Sequence, residues 1–294
     1  MARFMILLGG AMYRIVKKEE LSPDIKRMEV EAPEVAAKVQ AGQFVIVRTD
    51  EKGERIPLTV ADFDRDRGTI TIIFAEVGYS TIQLGAFAEG DSIRDFVGPL
   101  GRPTEIENYG MVLCVGGGVG VAPILPIAKA LKEAGNHVVS VVGARCDDLL
   151  ILQDEMRKAS SELYFTTDDG SCSYGIQGFV TDQMKQILDD PAYNIAHAWC
   201  IGPMPMMKFC SGLTKQYGIP TTVSMNPIMV DGTGMCGACR VAVGEETKFA
   251  CVDGPEFDGH AIDWELALRR MDIYREKEKK IAEMINKRGA EGCR

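Results

Sequence analysis

The hydrophobic period of this chain changes near residue 108, and the change divides it into two differently built units. Upstream, from Tyr13 to about Arg102, runs such as Lys26–Val30, Gln43–Thr49, Thr69–Phe74 and Ser92–Phe96 alternate or carry β-branched residues. Turn clusters separate them at Ser22-Pro23-Asp24, Asp50–Glu54, Asp64–Gly68 and Glu89-Gly90-Asp91. Short strands at this spacing predict a small antiparallel β-barrel, interrupted by one helix near Thr81–Phe87. Downstream, apolar strands at Met111–Val115, His137–Gly143, Leu163–Thr166, Ala196–Ile201 and Pro220–Met225 alternate with helical stretches. Those stretches run to about Ala134 and over Leu149–Ser160, Phe179–Leu188 and Met204–Tyr217. That order predicts an α/β domain, a parallel sheet with helices on both faces.

With 294 residues there is room for two domains and a small third. The expected division is an N-terminal extension over 1–11, the barrel over 12–108, the α/β domain over 109–225, a cysteine-bearing segment over 226–263, and a C-terminal helix over 264–294 capped by Asp263. The mixed charges of Arg275–Lys280 read as a solvated face of that helix. The apolar stretch Phe4–Leu8 is too short for an export signal, and Met12 is a candidate start. A hydrophobic content of 46% rules out global disorder. No apolar run approaches the ~20 residues of a membrane span. Lys+Arg of 33 against Asp+Glu of 42, net −9, argues against nucleic acid or an anionic membrane as partner. Nine cysteines, an odd number with several isolated on apolar runs, read as reduced thiols in a cytoplasmic protein.

Four residues carry the most specific signal: Asp231-x4-Cys236-x2-Cys239-x11-Cys251. Soft thiolates select zinc, Cu(I) or iron–sulfur. The plant-type [2Fe–2S] pattern has a cysteine where this chain has Asp231, and a carboxylate can still bind ferric iron. Glycines at 232, 234 and 237 let the backbone wrap and offer N–H groups to sulfur. The reading is a [2Fe–2S] cluster held by Asp231, Cys236, Cys239 and Cys251, with Asp253 a competitor for the oxygen position. A Cys3Asp zinc knuckle, in a non-catalytic module that binds NAD and zinc, is the alternative.

Gly116, Gly117, Gly118 and Gly120, followed by Ala122 and Pro123, end a strand and open a helix. Such a turn brings backbone N–H groups to a dinucleotide pyrophosphate. Arg145 ends the second strand and would attract a 2′-phosphate, while Asp147-Asp148 would repel one; the acidic pair points to NAD(H) over NADP(H). Cys200, ahead of Gly202-Pro203, either faces a nicotinamide or packs in the core.

In this order (barrel, nucleotide domain, cysteine segment) the chain resembles the ferredoxin–NADP reductase superfamily. Within it, the chain resembles the electron-transfer subunits of type B dihydroorotate dehydrogenase and, more closely, the small subunits of NADH-dependent reduced ferredoxin:NADP oxidoreductases. The likeness spans about residues 13–264. It implies an FAD-binding barrel in which Arg55, Pro57, Leu58 and Thr59 meet the flavin, Thr59 beside its reactive nitrogen. Arg55 stands four residues before Thr59 rather than three. Gly78, Ser80 and Thr81 map onto the turn at the FAD pyrophosphate, with Ser80 in place of glycine. The Gly116–Pro123 loop and Cys200-Ile201-Gly202-Pro203 map onto the NAD site, with Cys200 and Thr59 at the reacting centre. The dihydroorotate relatives have four cysteines, so Asp231 favours the transhydrogenase type. The resemblance further implies hydride transfer from NADH to FAD and single electrons through the cluster. The partner would be a larger subunit with its own flavin and [4Fe–4S] clusters, which reaches ferredoxin in flavin-based bifurcation.

Overall fold

A computed structural model describes residues 12–271. The extension over 1–11 and the charged stretch Arg275–Lys280 lie outside the described residues.

Alternating residues build the first unit from β1 (Tyr13–Ser22), β2 (Ile25–Glu31), α1 (Pro33–Ala36), β3 (Phe44–Arg48), β4 (Ile56–Asp64), β5 (Thr69–Ala75), α2 (Tyr79–Gly85), β6 (Ser92–Ile93) and β7 (Asp95–Leu100). The strands form one antiparallel sheet in the order β6-β1-β2-β5-β4-β3-β7. Its two outer strands are consecutive in sequence, separated by Arg94 alone. One stretch of chain therefore holds both margins, and the sheet curls into a nearly closed barrel. That is why the single strand expected over Ser92–Phe96 is broken. Ile15, Met28, Val30, Val45, Val47, Ile70, Ile72, Ile93 and Phe96 fill the interior and are buried. The single turn α1 was not foreseen; it opens on Pro33, whose missing N–H costs nothing there, and buries Val35 and Ala36. The expected helix forms two residues early, at Tyr79.

The second unit comprises β8 (Met111–Gly117), α3 (Val121–Glu133), β9 (His137–Ala144), α4 (Gln153–Ala159), β10 (Glu162–Thr167), β11 (Ile176–Gln177), α5 (Val180–Asp189), β12 (Ile195–Ile201), α6 (Met204–Gln216) and β13 (Thr221–Ser224). Strands β8 to β13 are parallel. Both faces of β8 are buried. Val112 and Cys114 pack with Ile124, Ile127, Leu131 and Met156 from α3 and α4. Leu113 and Val115 pack with Met184, Ile187, Met207 and Cys210 from α5 and α6. Two-sided burial is what a continuous apolar run requires. Helix α4 is shorter than expected because Leu150, Ile151 and Leu152 are buried ahead of it, Leu152 in the left-handed region at φ 58°.

The cysteine-bearing segment does not stand apart at residue 225. Its hairpin β14 (Arg240–Val243) and β15 (Glu246–Phe249) is separate, but β16 (Glu256–Asp258) joins the parallel sheet antiparallel to β13, through Thr222↔Asp258, Val223↔Phe257 and Ser224↔Glu256. The sheet order becomes β11-β10-β9-β8-β12-β13-β16. Helix α7 (Trp264–Met271) begins as expected, with the Leu266 N–H donating to Asp263 Oδ1 at 2.9 Å.

Buried Asn136 fixes the interdomain linker. Its Oδ1 accepts from the N–H groups of Tyr109 (2.7 Å) and Gly110 (3.1 Å), and its Nδ2 donates to the carbonyls of Glu107 (2.7 Å) and Leu131 (2.8 Å). Asn136→Ala strips partners from four backbone groups and is expected to cost about 2–4 kcal/mol in urea unfolding; a loss below about 1 kcal/mol would show that the linker is held elsewhere.

Candidate functional site

Three sets of expected site residues meet the barrel, the sheet edge and the cysteine loop. In the loop, Gly232, Gly234 and Gly237 all have positive φ (81°, 86° and 67°). A Cβ on Gly232 would come within 2.9 Å of Ile46 Cγ1 and 3.1 Å of Leu100 Cδ1, so the loop lies flat on β3 and β7. In the β3–β4 ladder Ile46 pairs with Pro57, Val45 with Leu58 and Phe44 with Thr59. The Asp231 loop and the expected flavin residues are thus one strand apart.

Within the loop, Thr233 Oγ1 donates to Asp231 Oδ1 at 2.6 Å. The backbone N–H groups of Thr233, Met235 and Cys236 point at Oδ2, at 3.3, 3.2 and 3.4 Å. The Thr233 hydroxyl, together with these backbone groups, holds the carboxyl below the usual carboxylate range despite partial desolvation. Buried Cys239 and Cys251 bring their sulfurs to 3.3 Å, far beyond the ~2.05 Å of a disulfide. Burial first, and the Cys239 thiol second, push the Cys251 thiol up to about 12; a bound cation would favour its thiolate. Cys236 is exposed beside Met235. The structure brings Cys239 and Cys251 together and ties Asp231 to Cys236. Among the described residues no three His, Cys, Asp or Glu side chains converge as a metal-holding group. Three thiols and a carboxylate that accepts backbone N–H groups, brought to one segment by the β14–β15 hairpin, nonetheless make a donor set that fits an iron–sulfur cluster. Asp253 is engaged elsewhere: its Oδ2 accepts the Phe249 N–H at 2.7 Å and its Oδ1 lies 3.8 Å from Arg102.

On the barrel, Thr59 is half-buried in β4, and Arg55 is exposed just before it. Ser80 Oγ donates to Glu54 Oε2 at 3.2 Å, which draws the Arg55 end of β4 to the turn at Gly78. Thr81 Oγ1 accepts the Gly78 N–H and donates to its carbonyl, both at 3.0 Å. A Cβ on Gly78 would meet nothing within 4 Å, so this backbone is open to an approaching group. Val77 and Tyr79 beside it are exposed apolar residues that were not anticipated.

At the carboxyl edge of the parallel sheet, Gly116 and Gly117 end β8, Gly118–Gly120 make one tight turn, and Ala122 and Pro123 lie in the first turn of α3. A Cβ on Gly120 would sit 2.6 Å from Gly202 Cα, so glycine alone lets this turn pass the end of β12. A Cβ on Gly202 would lie 3.2 Å from the Gly117 carbonyl oxygen and 2.8 Å from Met206 Cε. Gly116–Gly120 and Gly202-Pro203 therefore pack against one another at this edge, with Met206 against both. Exposed Arg145 follows β9. Next to it Ser171 Oγ accepts the Asp147 N–H at 2.8 Å, and Tyr174 packs edge-on against Phe165 with ring centroids 5.3 Å apart. Met206 and Tyr174 carried no motif that marked them in the sequence.

Cys200 does not face this edge. It is fully buried on the α5–α6 side of the sheet, and its thiol, hydrogen-bonded to the free thiol of Cys210 and desolvated, is kept protonated. Alternation explains the outcome: an apolar strand buried on both sides points every residue before its end into one core or the other.

Residues 226–263 match the model of the iron–sulfur cluster binding domain of dihydroorotate dehydrogenase B. Residues 114–212 match the oxidoreductase NAD-binding domain. The chain is 52% identical over 271 residues to a homolog of the NAD-dependent dihydroorotate dehydrogenase B electron transfer subunit from Thermotoga maritima, covering 92% of this chain and 94% of that one. It is 33% identical over 252 residues to the corresponding electron transfer subunit from Streptococcus thermophilus, covering 83% and 94%. Among solved structures, a chain of an NADH-dependent reduced ferredoxin-NADP oxidoreductase, described for flavin-based electron bifurcation, superposes with a TM-score of 0.88 at 49% identity over 95% of this chain and 99% of that one.

Burial of Cys200 has a kinetic consequence. Cys200→Ala is expected to keep stopped-flow hydride transfer from NADH within about threefold of wild type, under 1 kcal/mol of barrier, while costing about 1–2 kcal/mol of stability. A loss of about 100-fold or more would return this thiol to the reacting centre.

Proposed function

Because this chain belongs to the family of electron-transfer subunits related to that of dihydroorotate dehydrogenase B, within the ferredoxin–NADP reductase superfamily, we propose that it is the small subunit of an electron-bifurcating complex that couples NAD(H), ferredoxin and NADP(H). It is an oxidoreductase subunit whose cofactors are FAD, a [2Fe–2S] cluster and NAD(H). No helix among the described residues is long and apolar enough to cross a membrane. FAD takes an electron pair as hydride and a [2Fe–2S] centre carries one electron, so together they join hydride chemistry to single-electron transfer.

The observation that carries the reading is the seat of the Asp231–Gly232 loop on β3, one strand from Thr59. In this reading Pro57, Leu58 and Thr59 line the flavin ring, and Arg55, Gly78, Ser80 and Thr81 bind its phosphates. Gly116, Gly117, Gly118, Gly120, Ala122, Pro123, Gly202 and Pro203 seat the nicotinamide nucleotide, and Arg145 with Asp147 meets its adenosine end. Asp231, Cys236, Cys239 and Cys251 hold the cluster, the N–H groups of residues 233, 235 and 236 stabilising charge on its ligands. The proposed partner is a larger subunit bearing its own flavin and [4Fe–4S] clusters, through which ferredoxin is reached. Exposed Ile228, Val230, Met235 (89%) and Val252 surround the cysteine loop and supply an apolar docking rim there.

A second reading, the electron-transfer subunit of an NAD-dependent dihydroorotate dehydrogenase, is favoured by the names of the relatives. The oxygen donor at Asp231 supports the first. Purification from the native host should retain the large subunit, identified by mass spectrometry; a dihydroorotate-oxidising FMN partner would establish the second reading instead. Asp231→Cys is expected to keep a [2Fe–2S] spectrum with a shifted midpoint potential, read by redox titration; an unchanged potential would remove Asp231 from the ligand set.

A further inference from the structure

The carboxyl of Glu256 lies where all three units meet. It is carried on β16, the edge that the cysteine-bearing segment adds to the nucleotide sheet. Thr104 Oγ1 of the linker donates to its Oε1 at 2.7 Å. On the barrel side, a Cβ on Gly42 would be 2.8 Å from the same oxygen, so glycine there lets the carboxyl approach the backbone. The Trp199 indole N–H of β12 faces it as well. Backbone bonds flank this point on both sides: the Arg102 N–H donates to the Gly254 carbonyl at 2.7 Å and the Met225 N–H to the Pro255 carbonyl at 2.9 Å.

We propose that Glu256 is a positioning residue: while its carboxyl is neutral the cysteine-bearing segment closes against the barrel and the nucleotide sheet, and loss of its proton, which leaves an uncompensated charge in that seam, loosens the closure. The partners at the seam are neutral. Among the described residues the titratable groups that face Glu256 are the Cys114 thiol from β8 and the Tyr109 phenol from the linker, and neither offers positive charge. His197, on the strand of Trp199, faces Asp258, and burial drives its pKa down to about 4, so it too is neutral. Arg102 reaches Asp253 and the Val252 carbonyl. With no cation at hand among the described residues, desolvation pushes the Glu256 carboxyl up to about 7 from an ordinary 4.5, against the pull of the Thr104 and Trp199 donors.

The sign follows from linkage. A carboxyl whose folded pKa is raised binds its proton more tightly in the folded state. Its contribution is fully present below about 4.5 and is lost as pH rises through about 7. Beyond that, the seam holds a charge that water would solvate better.

Hydrogen exchange on the full-length holoprotein tests this without reference to any electron-transfer partner. In wild type the protection factors of the Arg102 and Met225 amides should fall by about tenfold, one pKa unit of linkage, between about pH 6 and pH 8. Glu256→Gln keeps the shape and the Thr104 bond, and should hold the acid-side protection across that range. Thr104→Val removes a donor that favours the ionised form, and should move the midpoint to higher pH. The same pH course in Glu256→Gln as in wild type would overturn the proposal. Should that variant fail to fold, an unmoved midpoint in Thr104→Val would overturn it.

Discussion

Three antiparallel residue pairs between β13 and β16 decide where the cysteine loop can go. Once Glu256–Asp258 is zipped to the nucleotide sheet, the chain between Met225 and Pro255 has both its ends fixed at one sheet edge. It can only bulge out and return. The bulge rests on the barrel because Gly232 has no side chain to hold it off Ile46 and Leu100. A backbone ladder on one domain thus places a loop on the other, and the distance between β4 and the cysteines follows from that pairing.

The two large units were legible because their signals are periodic. Alternation in Thr69–Phe74 and the apolar run at Met111–Val115 each leave one way to bury the residues, and five parallel strands appeared near their expected places. What escaped was short or non-local. Strand β16 is three residues long, with no alternation to read, and its partner lies over thirty residues upstream. The break at Arg94 has no turn residue to announce it, since it arises from closing the sheet. Asn136 looks like a turn residue and is in fact the four-bonded pin of the linker.

The site was legible in proportion to how much of it is backbone. The glycines at the end of β8 and in the cysteine loop declare themselves, because a positive φ or a close approach excludes other residues. Side-chain roles were harder. Cys200 sits beside Gly202-Pro203 in sequence but points into the core with Cys210. Met206 packs on Gly117 and Gly202, and Tyr174 bonds Asp147, from a helix and a loop whose patterns are shared by many residues that touch nothing of note.

The break at Arg94 reaches past the barrel. By letting one segment cover both margins of its sheet, it leaves the two-residue β6 and the six-residue β7 as the free margins, less backbone open to a stranger's strand than two separate long edges would offer. The parallel sheet is guarded differently: its margins are β11, of two residues, and β16, of three, too short to template an addition. Association of the described part of this molecule through its parallel sheet is therefore left to side chains, which discriminate among partners, rather than to main chain, which does not.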